Sequence, residues 1–227
     1  RKKIKKQTII EHQYLPEDII NQYTKADIKE WSCEGIQQSI MDKYNVRYYK
    51  EGNSIVFPVR DSDGRIIAIK ARTLYANYKD LGIPKYRYYQ SIGSNDFLFG
   101  LYENLQSIKE KNEVIVFEGC KSVMLAEGYG FYNCVSLETN TINEYQMNLL
   151  LQLHCDVVMA LDQGMKITDK KGLKNTKEIT YINVGLLSRF TNVYVIEDKN
   201  KLLPNKASPV DCGKDVWLRL YNERKKL

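Results

Sequence analysis

Two short stretches decide the reading of this 227-residue chain: Val114-Ile115-Val116-Phe117-Glu118-Gly119 and Val157-Val158-Met159-Ala160-Leu161-Asp162. Each is an apolar run of strand length that breaks on an acidic residue. Between them the spacing predicts a helix over 121–127, which Gly128 and Gly130 can end, and a second over 143–153. The second opens on Thr141-Ile142-Asn143-Glu144, which reads as a capping box, with Met147, Leu150 and Leu151 inward. Strands alternating with helices predict a parallel α/β sheet. Glu118 and Asp162 then stand at the carboxyl ends of strands, the edge where open parallel sheets bind ligands. A Glu and an Asp brought to one sheet edge are what metal-assisted phosphoryl transfer needs, because carboxylates must hold the ion that neutralises the transferring group.

Working outward, a strand over 193–196 should be the last, preceded by a helix over 177–189. A closing helix over 213–224 turns Val216, Trp217 and Leu220 toward the core. Toward the amino end, residues 8 to 45 read as helical, with a start at Leu15-Pro16-Glu17-Asp18 and a second helix over 36–44. The period then changes. Residues 54–60 and 65–73 flank Asp61-Ser62-Asp63-Gly64 and read as a β-hairpin. Residues 75–96 are polar, Tyr-rich and irregular, and a short helix covers 100–109. The fold class is therefore α/β: an α+β amino-terminal subdomain over 1–111, then a parallel-sheet α/β domain over 112–227.

Composition narrows the function. The 34 basic and 28 acidic residues leave a net charge of +6, which permits a polyanionic partner without demanding one. The 17 tyrosines against 6 phenylalanines cluster beside cations, as in Arg47-Tyr48-Tyr49-Lys50 and Lys85-Tyr86-Arg87-Tyr88-Tyr89. Aromatic faces interleaved with cations suit single-stranded nucleic acid; Tyr as a half-exposed core residue is the plainer explanation. Five widely spaced cysteines without a C-x-x-C pair give no zinc site and read as free thiols in a reducing compartment. Only His12 and His154 are available for histidine chemistry, and His154, at a helix end, reads as structural. No uncharged apolar run approaches the roughly 20 residues that span a bilayer. The basic opening Arg1-Lys2-Lys3-Ile4-Lys5-Lys6 lacks a secretory core, so the expectation is a cytoplasmic protein with no membrane partner. A start on Arg1 rather than Met reads as a trimmed or processed product with flanking domains outside it.

The 112–166 segment resembles the Toprim fold shared by bacterial-type primases, topoisomerases and related nucleases. Five segments ahead of it are similar, in order, to the basic subdomain of bacterial DnaG-type primases, with phage-encoded primases nearest. They are Ser54-Ile55-Val56-Phe57-Pro58-Val59-Arg60-Asp61, Gly64-Arg65-Ile66-Ile67-Ala68, Ala71-Arg72-Thr73-Leu74, Pro84-Lys85-Tyr86 and Phe99-Gly100-Leu101-Tyr102. The resemblance implies synthesis of short RNA primers on a single-stranded DNA template from ribonucleoside triphosphates, with Mg²⁺ or Mn²⁺ as cofactor. It gives Glu118 an acid–base or metal-holding role and makes Asp162 the first aspartate of the metal motif. Asp211 falls in the later acidic loop, as a third metal ligand. Arg72 and Lys85 match residues facing nucleotide or template, and Arg60 and Arg87 join them by proximity. A replicative helicase or a separate zinc-binding domain is the implied protein partner.

Three family carboxylates are replaced here, by Gly164, Ser122 and Ser208, and Asp198 is the residue placed to compensate. Mg²⁺ tolerates such losses because it keeps most of its waters and uses one or two carboxylates plus substrate phosphates. The same acids could instead serve a Toprim nuclease. The replacements also motivate a third reading, a single-strand-binding module that has lost catalysis.

Overall fold

The computed structural model describes residues 12–90, 92, 95–164 and 184–227, which form two sheets joined by a continuous apolar core. The first sheet is antiparallel, in the order β1 (Arg47–Tyr49), β2 (Ser54–Arg60), β3 (Ile66–Thr73), β4 (Tyr86–Tyr88). Strands β2 and β3 form the expected hairpin. Asp61 Oδ1 accepts from the backbone N–H groups of Asp63 and Arg65, each at 3.0 Å, and Gly64 sits at φ +88°. A Cβ on Gly64 would meet the Tyr102 ring at 2.4 Å, so Gly is required there by space as well as conformation.

The Tyr-rich stretch is less irregular than its composition suggests. Tyr86–Tyr88 pairs with β3, placing Tyr88 opposite Lys70 and Tyr86 opposite Arg72. Aromatic residues suit a pleated, half-buried surface, and the open edge of β3 supplies the backbone partners. The amino-terminal helical reading needs a larger correction. A short 3₁₀ helix (Glu17–Gln22) is separated by extended residues from α1 (Lys29–Cys33), which a turn with Gly35 at φ +97° separates from α2 (Gln38–Lys43). Leu15 N donates to Ile66 O and Thr24 N to Tyr48 O, both at 2.9 Å, so these residues bind sheet edges instead of continuing a helix.

After α3 (Leu101–Lys111), the second sheet runs β6 (Cys134–Ser136), β5 (Glu113–Phe117), β7 (Asp156–Ala160), β8 (Val193–Val195), β9 (Lys225–Lys226). Its first four strands are parallel. Residues 114–117 and 157–160 are fully buried, as expected of central parallel strands covered on both faces. Helix α4 (Cys120–Gly128) follows β5, α5 (Glu144–Gln152) follows β6, and α6 (Lys214–Asn222) packs Trp217 between Phe117 and Phe131, with ring centroids 5.5 and 5.2 Å away. The capping box on α5 is shifted by two residues: Asn143 Oδ1 accepts from Gln146 N at 2.9 Å and Gln146 Oε1 from Asn143 N at 3.3 Å. Asn caps as well as Thr, and the Thr139 hydroxyl already donates to Thr141 O. Strand 193–196 is not the last, because β9 adds an antiparallel edge whose two lysines discourage further pairing. Of the helix expected over 177–189, residues 177–183 lie outside the described residues, and 184–187 are helical.

One apolar cluster takes Trp31, Ile55 and Phe57 from the first part and Phe117, Val123 and Trp217 from the second. A buried polar knot reinforces it. Glu127 of α4 accepts from Lys43 Nζ at 2.9 Å, from the Tyr44 hydroxyl and from Asn104 Nδ2, while Asn104 also donates to Cys134 O at 2.7 Å.

Candidate active site

The strand order reverses between β5 and β7: the chain leaves β5 to build β6 on one side, then crosses back to build β7 on the other. At such a switch point the loops after the two strands diverge and leave a crevice beyond the carboxyl edge. Phe117 and Ala160 are paired across it. Glu118 follows the first at once and Asp162 follows the second by two residues. Both line a cleft of about 460 Å³ that the face of β3 and β4 closes from the opposite side.

The two carboxylates have no ion-pair partner among the described residues, and Asp162 Oδ1 is buried with no hydrogen bond. Burial, then the charges of Glu118 and Asp211, push Asp162 up to about 7, against the pull of Lys121 and Lys85. Burial also raises Glu118. Two acids held this way, short of counter-charge and partly stripped of water, form a site that favours a cation. Among the described residues no cluster of three or more potential ligands exists. Asp211 lines the cleft, but its Oδ2 accepts from Ser208 N at 2.9 Å and its Oδ1 lies 3.6 Å from Lys121 Nζ. Asp198 does not compensate for the replaced carboxylates: its two oxygens accept from Leu202 N at 2.9 Å and Leu203 N at 2.7 Å, closing a turn. Gly164 stands at φ +94°, a backbone that strains any L side chain, so the second metal aspartate of the family could not return there without a local change.

The cationic wall comes from strand alternation. Lys70 and Arg72, two apart on β3, share a face with Tyr86 and Tyr88 of β4. Lys85 precedes β4 and lines the cleft, with no ion pair among the described residues. Burial, then Arg72 and Lys121, hold its ammonium below the ordinary lysine range. Arg72 Nη2 donates to Glu34 at 3.1 Å, and Glu34 also receives Lys121 Nζ at 2.6 Å. Burial raises the Glu34 carboxyl, but Lys121 and Arg72 outweigh it and hold the group below its usual value.

Arg87 points the other way. It lies 5.0 Å from the Tyr89 ring and donates to the Tyr89 hydroxyl at 2.9 Å. Arg60 is held by Glu17 through two hydrogen bonds and faces Glu103 at 3.8 Å, and it does not line the cleft.

Sequence reasoning missed Lys70, Lys121, Glu34 and Glu138. Lys70 is buried in the cleft floor, ion-paired with Glu138, 3.5 Å from Cys120 Sγ and 4.6 Å from the Tyr86 ring centre. Burial lowers its basicity. Glu138, at φ +62° just after β6, also accepts from Ser136 Oγ at 2.7 Å and from the Tyr88 hydroxyl at 3.3 Å. The one sequence signal for Lys70 is a lysine between the apolar run Ile66-Ile67-Ala68-Ile69 and Ala71, a charge that a buried strand must pair.

No protein-family profile matches the chain. It is 28% identical over 243 aligned positions to an uncharacterised protein of the SPbeta prophage of Bacillus subtilis, covering 98% of this chain and 63% of that protein. It is 30% identical over 186 residues to the DNA primase of Haemophilus influenzae, covering 81% of this chain but 28% of that enzyme. The chain thus spans less than two thirds of either relative. Among solved structures, the Aquifex aeolicus primase (zinc-binding and RNA polymerase domains) superimposes with a TM-score of 0.71 at 21% identity, over 92% of this chain and 59% of that one. A DnaG primase catalytic domain bound to single-stranded DNA does so with a TM-score of 0.68 at 16% identity, over 91% of this chain and 76% of that one. At these identities the structural likeness shows the fold alone.

Proposed function

We propose that this relative of the DnaG-type primase catalytic cores makes short RNA primers on single-stranded DNA, with residues 1–111 as its basic subdomain and 112–227 as its Toprim-like catalytic domain. The observation that carries this reading is the pair of uncompensated carboxylates, Glu118 and Asp162, at the switch point of the parallel sheet, facing a wall of lysines across one cleft. Primer synthesis joins two nucleotides by attack of a 3′-hydroxyl oxygen on the α-phosphorus of a ribonucleoside triphosphate, with pyrophosphate leaving. Catalysis is then chiefly positioning and charge neutralisation.

Glu118 and Asp162 fit a divalent ion, Mg²⁺ or Mn²⁺. The buried, unbonded Oδ1 of Asp162 and the mutual repulsion of the two acids are the features such an ion would relieve. When bound, it supplies Lewis-acid activation of the hydroxyl and stabilises the leaving phosphate. Asp211 contributes field more than ligation, since its oxygens are engaged by Lys121 and Ser208. Lys85, uncommitted in the cleft, is placed to meet the triphosphate, with Lys121 and Lys206 beside it. Arg72 stands behind them. Each phosphate neutralised on the template strand should add about −0.7 to the salt slope of binding. Tyr86 and Tyr88, whose rings carry Lys70, narrow the floor between these groups. A zinc-binding domain or a helicase would act as a separate partner.

The test is incorporation of radiolabelled ribonucleotides on single-stranded templates with Mg²⁺ or Mn²⁺, read on a denaturing gel. Short labelled oligomers that disappear in Glu118→Gln support the reading. Shortened template instead of new product would assign the site to a nuclease. The glycine at 164 in place of the second metal aspartate, and the lack of a three-ligand cluster among the described residues, favour, as second reading, a template-binding module. That reading gains if single strands bind without metal dependence and no oligomer forms.

A further inference from the structure

Glu34 closes α1 and lies between two cations from different parts of the molecule: Arg72 of β3 at 3.1 Å and Lys121 of α4 at 2.6 Å. Its side chain is one third exposed, so it can turn to water without passing through the core. The guanidinium it holds is only partly used. Arg72 Nε and Nη1 are buried and have no hydrogen-bond partner. Leaving two buried donors unmade is costly, and a planar fork of N–H groups is shaped for an anion with several oxygens. One carboxylate oxygen reaches one of those donors; a phosphate presents more. Lys121, at the other end of the bridge, lines the cleft where Lys85 has no ion pair among the described residues.

We propose that Glu34 is an internal stand-in for a substrate phosphate. In the free protein it keeps Lys121 extended at the cleft wall, with Arg72 held behind the lining residues, and prevents their mutual repulsion from spreading them. When a polyphosphate enters, Lys121 and the Nη2 edge of Arg72 pass from Glu34 to phosphate oxygens, and Glu34 turns outward. This inference rests on the reading of the cleft as a nucleoside triphosphate site. It adds that the site is pre-ordered by a competing acid, at some expense of affinity.

Calorimetric titration with inorganic tripolyphosphate tests it. Glu34→Gln should bind about three- to fivefold tighter than the wild type, the gain expected when one partly exposed ion pair no longer competes. That gain should vanish in Arg72→Met and Lys121→Met backgrounds, which separates release of these two cations from a general loss of negative charge. Glu30→Gln, an exposed acid on the same helix, should leave affinity unchanged. Glu34→Asp, which keeps the charge but shortens its reach, serves as a second variant and should fall between wild type and Glu34→Gln. Equal or weaker binding by folded Glu34→Gln and Glu34→Asp overturns the inference while leaving the cleft's assignment standing. A wild type that takes up no tripolyphosphate at all overturns both.

Discussion

The two walls of the cleft are built on opposite electrostatic principles. On the parallel-sheet side, Glu118 and Asp162 have no ion-pair partner among the described residues, and burial raises both. On the antiparallel side Lys70 is compensated by Glu138 and, behind the lining residues, Arg72 by Glu34, while Lys85 has no ion pair among the described residues. The acids are thus a vacancy for positive charge, whereas the cations form a surface whose charges are already spoken for. Under the proposed function the acid wall would grip a small ion with bare ligands, while the cationic wall would hold and release a polyanion and be neutralised in between.

The contrast can be broken most severely at Asp162. Asp162→Ala should lower primer synthesis by about a thousandfold or more, the scale expected when an essential electrostatic stabiliser is removed. Single-turnover extension on a defined template measures it. The next largest effect should be on stability. Lys70→Met leaves Glu138 charged and buried, which costs about 3 kcal/mol or more in denaturant unfolding. The double variant Lys70→Met/Glu138→Leu should recover most of that loss; no recovery would mean that the pair is not the source.

On the cationic wall, Lys85→Met should raise the KM for nucleotide about tenfold, since a charge-assisted contact to phosphate is worth about 1.5–3 kcal/mol. Arg87→Met, two residues away but on the far face of β4, should change it less than twofold. Equal effects would show that proximity in sequence matters more than the side a residue faces.

The smallest effect is the most direct probe of the bare acids. Because the folded carboxyl of Asp162 sits near 7, above its value in the unfolded chain, the folded state binds the proton more tightly. Stability of the metal-free protein should therefore fall as pH rises from about 4 to about 7. Asp162→Asn removes that penalty. It should be more stable than wild type by about 1–2 kcal/mol at pH 8 after allowance for partial exposure, with the gap closing near pH 4. Thermal melts in chelator across that range read it, and a constant difference would refute it.

How much of this was legible in the chain follows from range. Glu118 and Asp162 were found because the signal is local: an apolar strand that stops on an acid and hands over to a loop or helix. The hairpin was legible for the same reason, through Asp61 and Gly64. Lys70 escaped because its meaning depends on Glu138, 68 residues away, and on which face of β3 meets the second sheet. Arg87 was grouped with Lys85 by adjacency, although the period of two in Tyr86-Arg87-Tyr88 already places its side chain opposite the two tyrosines. Arg60 sits where the β2–β3 register shifts, at Val59 and Arg60, and no pattern in the chain marks that bulge. The amino-terminal helices were drawn too long because Leu15 and Thr24 are claimed by the backbones of Ile66 and Tyr48, partners that lie 51 and 24 positions downstream.

The polar knot of Lys43, Tyr44, Asn104 and Glu127 bears on how a template would travel. It bolts α2, α3 and α4 together behind the cleft, over an apolar core shared by both sheets. Jaws fastened at the back in this way hold their spacing, so whatever enters the cleft meets two walls already set, and adjustment to it falls to side chains at the rim and not to movement of the frame.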